Sequence, residues 1–146
     1  MKATTVTPNL SAPVLRLLLV DVHKISRASS RLLLETITGF EVVGETSQHR
    51  EALEMAATLH PDVLIISMRV NGSTGPDTTR DILKLHPEIR VIFWTLFDDP
   101  EYVRSALAAG AHAYVLKQDP AQEIEIAIEK VRLGQSYLSP NLPHVA

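Results

Sequence analysis

Five short apolar segments recur along this chain, and an amphipathic stretch follows each of them. The segments are rich in Val, Ile and Leu, which is typical of strands buried on both faces of a parallel sheet. Glu41 and Glu45 interrupt the second segment, which predicts a strand at the edge of the sheet. The five predicted strands span residues 15–20, 40–45, 63–67, 91–95 and 113–116.

The stretches between the strands carry apolar residues three and four positions apart, the period of a helix that buries one stripe. Pro100 and Pro120 are predicted at helix starts, with Asp99 and Asp119 before them as N-caps. Five β–α repeats predict a doubly wound α/β fold, a five-stranded parallel sheet with five helices on its two faces. In such a sheet, functional residues collect at the carboxyl ends of the strands.

Size and charge limit what else the chain can do. Its 146 residues suffice for one domain, predicted at 13–134, between a flexible tail at 1–12 and a C-terminal tail or linker start at 135–146. The net charge of -3 offers no basic surface for a phosphate backbone, so direct nucleic-acid binding is not expected. Without a signal peptide or a long apolar segment, the chain is predicted to be cytoplasmic and not bound to a membrane. Zero cysteines exclude thiolate chemistry.

Four segments near the predicted strand ends together resemble the receiver domain of two-component response regulators, especially the NarL/LuxR-type subfamily. The resemblance covers about residues 15–142, and the spacing between the segments matches the family. It implies a flavodoxin-like receiver fold with strand order 2-1-3-4-5, which agrees with the architecture predicted above. The four segments are Leu-Leu-Leu-Val-Asp-Val-His (17–23), Pro-Asp-Val-Leu-Ile-Ile-Ser-Met-Arg (61–69), Val-Ile-Phe-Trp-Thr (91–95) and Ala-Tyr-Val-Leu-Lys (113–117).

The resemblance also implies a reaction centre, and this chain departs from it. In the family, an aspartate after the third strand accepts a phosphoryl group, an acidic pair after the first strand holds Mg²⁺, and a Thr or Ser and a Lys bind the phosphoryl oxygens. Asp21 matches the first acid of the pair, but Val22 stands where the second belongs, and Ser67 replaces the phosphoacceptor. Thr95 and Lys117 match their family positions.

These departures predict a degenerate receiver, or pseudo-receiver. A serine hydroxyl needs a base before it can act as a nucleophile, and one carboxylate gives Mg²⁺ too few ligands. We therefore expect no metal, no cofactor and no enzymatic activity at this site. The negative charge of one carboxylate and the positive charge of one ammonium cancel without a metal, so we expect Asp21 and Lys117 to form a direct ion pair. Ser67 and Thr95 are expected to be its neutral hydrogen-bonding neighbours.

Thr95 and Tyr114 match the family's two switch residues, which remodel the face of the fourth helix, fifth strand and fifth helix. The leading prediction is an atypical receiver domain in phosphorelay signalling, acting as a phosphorylation-independent module for protein interaction or dimerisation. It would use that face, or the face of the first and fifth helices, to bind a protein partner or a second copy. Two alternatives stay open: the regulatory domain of a LuxR/NarL-type transcription regulator whose helix-turn-helix is absent from this chain, and a conventional phosphoacceptor protein that uses another residue.

Overall fold

The computed structural model of this protein describes residues 14–142, so the predicted tail at 1–12 lies outside the described residues. Within these described residues, thirteen elements follow one another. The strands are β1 (Leu15–Val20), β2 (Phe40–Thr46), β3 (Val63–Ile66), β4 (Arg69–Val70), β5 (Ser73–Thr74), β6 (Arg90–Thr95), β7 (Ala113–Leu116) and β8 (Tyr137–Leu138). The helices are α1 (Lys24–Glu35), α2 (His49–Leu59), α3 (Gly75–Leu85), α4 (Pro100–Ala108) and α5 (Gln122–Arg132).

Six of the strands form one parallel sheet in the order β2-β1-β3-β6-β7-β8, and β4 and β5 form a separate antiparallel hairpin. The five predicted strands correspond to β1, β2, β3, β6 and β7, in the implied order and with β2 at one edge. The predicted number of strands was wrong, because β8 adds a sixth beside β7. With only two residues, β8 is too short to show a strand periodicity in the sequence. It lies within the stretch predicted as a C-terminal tail or linker start.

The core consists of two layers, one on each face of the sheet, because successive side chains of a strand point to opposite faces. In β1, Leu18 and Val20 join the layer covered by α2, α3 and α4. Leu17 and Leu19 join the layer covered by α1 and α5. The strands that lie between neighbours are therefore apolar on both faces, which explains their nearly continuous apolar sequences.

The edge strand β2 is irregular. Its register against β1 shifts between Leu17 and Leu18, so that Val42 and Gly44 face these two residues and Val43 is an extra residue. Further along β2, Glu45 accepts hydrogen bonds from two arginines of α1, Arg27 and Arg31. The bulge interrupts the regular pairing of β2 with β1, and the charged contacts join this strand to α1.

Of the two predicted helix caps, one is confirmed and the other was wrong. Asp99 caps α4, since its Oδ1 accepts a hydrogen bond from the Glu101 amide at 2.9 Å. Asp119 does not cap α5, because the chain makes a further turn after Pro120 and the helix begins only at Gln122. None of the helices between residues 14 and 142 has the length and apolar content needed to span a bilayer.

Two neighbouring threonines of α3 provide a test of this core. Thr78 and Thr79 are both fully buried, but only Thr78 has hydrogen-bond partners, His49 and Thr74. Among the residues that the structure describes, the Thr79 hydroxyl has none. An unpaired buried hydroxyl is costly, so Thr79→Val should raise the free energy of unfolding by about 1 kcal/mol. Thr78→Val, the matched control, should lower it by about 1 kcal/mol in the same urea titration.

Candidate functional site at the strand ends

Because the strands are parallel, the carboxyl ends of four of them lie along the same side of the sheet, which we call its carboxyl edge. Asp21 follows β1, Ser67 follows β3, Thr95 ends β6 and Lys117 follows β7. The last paired residues of adjacent strands lie side by side at this edge, for example Val20 beside Ile66 and Thr95 beside Leu116. The structure therefore collects the predicted site residues, and we call Asp21, Val22, Ser67, Thr95 and Lys117 the strand-end site.

Gly75 allows α3 to start directly against this edge. A Cβ atom at this position would lie 2.2 Å from the backbone oxygen of Ser67 and 2.9 Å from the ring of Phe93. Only glycine permits so close an approach, because the neighbouring atoms belong to the backbone and to a buried ring. The start of α3 therefore closes the site from the side of β3.

A direct ion pair occupies the centre of the site, which confirms the contact expected from charge balance. Lys117 Nζ donates a hydrogen bond to Asp21 Oδ2 at 2.8 Å. The other carboxylate oxygen, Asp21 Oδ1, accepts the His23 amide at 3.0 Å. Asp21 is 2% exposed and the side chain of Lys117 is 16% exposed, so water screens the pair poorly.

The surroundings keep the Asp21 carboxyl ionised. Burial alone would raise its pKa, but hydrogen bonds from Lys117 and the His23 amide, the positive charge of Lys117 and a hydrogen bond with Ser26 act in the opposite direction. The net result is a pKa below the ordinary value of an aspartate. A carboxylate held in this state is a weak proton acceptor, which makes Asp21 a poor general base.

Ser26, on the first turn of α1, is a site residue that the sequence analysis missed. Lys117 Nζ donates a hydrogen bond to its hydroxyl. We expected Ser67 and Thr95 to be the hydrogen-bonding neighbours of the pair, but their hydroxyls bond to nearby backbone groups instead. Ser67 Oγ donates to the Arg69 carbonyl at 3.3 Å, and Thr95 Oγ1 accepts the Phe97 amide at 3.3 Å. The sequence feature that could have identified Ser26 is its hydroxyl in the first turn of a helix that begins at the strand ends.

The donor set of the strand-end site fits Mg²⁺ poorly, because its one carboxylate is already engaged within the chain. Mg²⁺ requires an octahedral set of oxygen ligands, usually with one or two carboxylates. Here both oxygens of Asp21 already bind donors of the chain, Val22 supplies only an isopropyl group, and the ammonium of Lys117 stands against the carboxylate. Among residues 14–142, no three His, Asp or Glu side chains are grouped as metal ligands.

Tyr114, the predicted switch residue, points into the protein beside the site. It is fully buried, its ring stacks against Phe93 with centroids 6.1 Å apart, and its hydroxyl donates to the Phe97 carbonyl at 2.6 Å. Burial, followed by the negative charges of Asp98 and Asp99 among others, raises the pKa of Tyr114, so the hydroxyl remains a donor. The hydrogen bond from its hydroxyl to Phe97 therefore holds the Tyr114 side chain in this inward position.

Aromatic side chains outside the sheet extend this arrangement to the surface. The ring of Phe97 lies 4.9 Å from that of Tyr102, and the guanidinium of Arg69 lies 5.4 Å from the Phe97 centroid. On the opposite face of the sheet, Lys117 Nζ lies 5.4 Å from the centroid of the buried Trp94. The indole of Trp94 is thus a natural optical probe of the Lys117 ammonium.

Comparisons with known proteins agree with this geometry. A family model described as "Response regulator receiver domain" matches residues 17–129. Response regulator GacA of Pseudomonas viridiflava is 34% identical over 129 residues, which cover 88% of this chain and 60% of GacA. Transcriptional regulatory protein DegU of Brevibacillus brevis is 28% identical over 130 residues, which cover 89% and 55% of the two chains.

A solved structure matches most of this chain. The LuxR-family two-component response regulator from Aurantimonas sp. SI85-9A1 is 31% identical, with a TM-score of 0.83, and the match covers 87% of this chain and 91% of that one. The chain spans 60% or less of the length of the GacA and DegU relatives.

The ion pair can be tested by removing one charge and then both. Asp21→Asn leaves a largely buried ammonium without its counter-ion, so it should lower the free energy of unfolding by about 3 kcal/mol at pH 7. Adding Lys117→Met to that variant should restore most of the loss, because no unpaired charge remains. As a control, Asp77→Asn removes the exposed partner of Arg80 and should cost less than about 1 kcal/mol.

The same variants predict a pH dependence. The pKa of Asp21 is lower in the folded state, so its stabilising contribution is complete above the unfolded value, about 3.9, and is lost as the pH falls through the folded value. The difference in unfolding free energy between the native protein and Asp21→Asn should therefore shrink below about pH 4. A difference that stays constant from pH 7 into this acidic range would contradict the assignment of the pair.

Proposed function

Because this chain belongs to the response regulator receiver domain family, we propose that it is a signalling receiver whose output does not depend on phosphorylation of an aspartate. The observation that carries the proposal is the contact between Lys117 and Asp21 beside a serine at position 67. In this proposal the domain catalyses no reaction, requires no metal and works in the cytoplasm by binding other proteins.

The chemistry of Ser67 supports this proposal. Acyl phosphate forms on a carboxylate, which is an anion at neutral pH, whereas a serine hydroxyl must lose its proton to a base. Asp21 is the nearby carboxylate, and its low pKa and its contact with Lys117 make it a poor base. The Ser67 hydroxyl is also directed at the Arg69 carbonyl, and its residue is only 8% exposed.

The exposed apolar residues of α1 and α5 favour this face as the partner surface. Ile25 and Leu32 of α1 lie seven residues apart, on the same side of the helix, and are 83% and 69% exposed. Ile126 lines a groove on α5 together with Leu133, the residue that follows the helix. Both helices cover the same layer of the core. Apolar side chains concentrated on one face are a feature of interaction sites.

We propose a second copy of the chain as the occupant of this face. The first turn of α5 is acidic, with Glu123 and Glu125, and its last turn is basic, with Lys130 and Arg132. Two such helices packed antiparallel would bring opposite charges together, which favours pairing of identical copies. The alternative face of α4, β7 and α5 offers Tyr102 at its surface, but Tyr114 is directed inward there.

A second candidate is the regulatory domain of a LuxR/NarL-type transcription regulator. The observation that favours it is the greater length of the curated relatives, one of which is named a transcriptional regulatory protein. Sequencing the transcript across the codon of Ala146 would test it, because this candidate requires a downstream segment that encodes a DNA-binding domain. The two candidates are compatible in their receiver part and differ in what the receiver controls.

Phosphorylation can be tested with a small acyl-phosphate donor and Mg²⁺, followed by intact mass measurement. The native protein should gain no phosphoryl group, about 80 Da. The variant Val22→Asp/Ser67→Asp restores three carboxylates around one ammonium, so it should bind millimolar Mg²⁺ with a change in Trp94 fluorescence and become phosphorylated. A phosphoryl group on the native protein that maps to the strand-end site would refute the proposal and support a conventional phosphoacceptor.

Self-association can be tested by sedimentation at increasing protein concentration. Ile25→Asp places a charge in the proposed interface, so it should weaken dimerisation at least about tenfold. Leu85→Asp is the matched control, since Leu85 is 68% exposed on α3 and faces away from α1 and α5. Equal behaviour of the two variants would show that the dimer does not form through α1 and α5.

A further inference from the structure

The chain after α5 returns to the sheet and covers the outer side of β7. The Tyr137 amide donates to the His112 carbonyl at 3.1 Å, and the Ser139 amide donates to the Tyr114 carbonyl at 2.9 Å. The Ser139 hydroxyl in turn accepts the Leu116 amide at 3.0 Å. Ser139 is 3% exposed, so these bonds are protected from water. We call residues 137–142 the C-terminal clamp.

Side chains of the clamp also hold the turn that follows β7. Asn141 Nδ2 donates to Asp119 Oδ1 at 3.1 Å, and the Tyr137 hydroxyl donates to Glu123 at the start of α5. The side chain of Leu142 packs against the core layer beneath α2, α3 and α4. The clamp thus contacts the chain on both sides of Lys117, at Leu116 before it and at Asp119 after it.

The position of Lys117 depends on this turn. Its amide donates to the Thr95 carbonyl at 2.8 Å, and the Asp119 amide closes the turn by donating to the Leu116 carbonyl at 3.2 Å. The side chain then extends to Asp21 and Ser26. Within the described residues, the clamp contacts the turn from outside the sheet, and the ion pair holds it from inside.

We propose that the C-terminal clamp and the Asp21–Lys117 pair are energetically coupled, so that the clamp is the output element of the strand-end site. A partner that binds residues 137–142 and removes them from β7 would loosen the ion pair. Conversely, any ligand that draws Lys117 away from Asp21 would loosen the clamp by the same factor, because coupling between two sites is reciprocal. This coupling is independent of whether Ser67 is phosphorylated and of the face used for dimerisation.

The first half of the test releases the clamp and observes the pair. Ser139→Ala/Asn141→Ala removes two clamp contacts, so hydrogen exchange of the Lys117 amide, which bonds to the Thr95 carbonyl and not to the clamp, should accelerate at least about fivefold, with a change in Trp94 fluorescence. Leu138→Ala is the matched control, because this side chain is 42% exposed and lies within the same strand. Should the double variant fail to fold, Asn141→Ala alone, at an exposed side chain, gives the same readout.

The second half breaks the pair and observes the clamp. Lys117→Met should accelerate exchange of the Tyr137 and Ser139 amides at least about fivefold, by reciprocity. Amides of Leu18 and Leu19 in β1 report global unfolding, and Ile82→Val, a core change in α3, reproduces a general loss of stability. Acceleration at the clamp beyond that seen in Ile82→Val supports the coupling. Unchanged exchange at the clamp, or equal acceleration in Ile82→Val, would overturn it.

Discussion

The strand-end site depends on one buried ion pair between residues 96 positions apart in the chain. Asp21 leaves β1 and Lys117 leaves β7, and β3 and β6 lie between these strands. Removing two charges from water is costly, and the cost is recovered only when hydrogen bonds satisfy both partners. Here the His23 amide and the Ser26 hydroxyl complete the set, so that the pair joins α1 to the far side of the sheet.

If the chain is the pseudo-receiver proposed above, the pair also accounts for the stability of a receiver fold without the full set of acids. Three carboxylates would need a divalent cation between them, whereas one carboxylate needs only the ammonium already present. On the same proposal, Val22 and Ser67 complement each other, because an acid at either position alone would leave uncompensated charge near Asp21. Tyr114, bonded to the Phe97 carbonyl, keeps its buried position without help from a phosphoryl group.

Much of this arrangement was predictable from the sequence, and the failures have physical causes. The long apolar strands were found because burial on both faces requires apolar residues throughout. β8 was missed because two residues that bind through their backbone leave no pattern of side chains. The ion pair followed from charge balance among the residues that the resemblance to receiver domains had assigned to the strand ends. The contact of Ser26 with Lys117 was missed, and Asp119 was wrongly predicted as the cap of α5. Both depend on how helices meet the sheet, which residue types alone do not determine.

The two edges of the sheet have a consequence for behaviour in solution. An open edge strand offers free amides and carbonyls to any other chain and so invites aggregation. On one side the protein covers β7 with a strand of only two residues, too short to recruit a neighbour. On the other side β2 combines a bulge with Glu45 held by Arg27 and Arg31. Strand-to-strand pairing between copies is thereby disfavoured at both edges of the sheet.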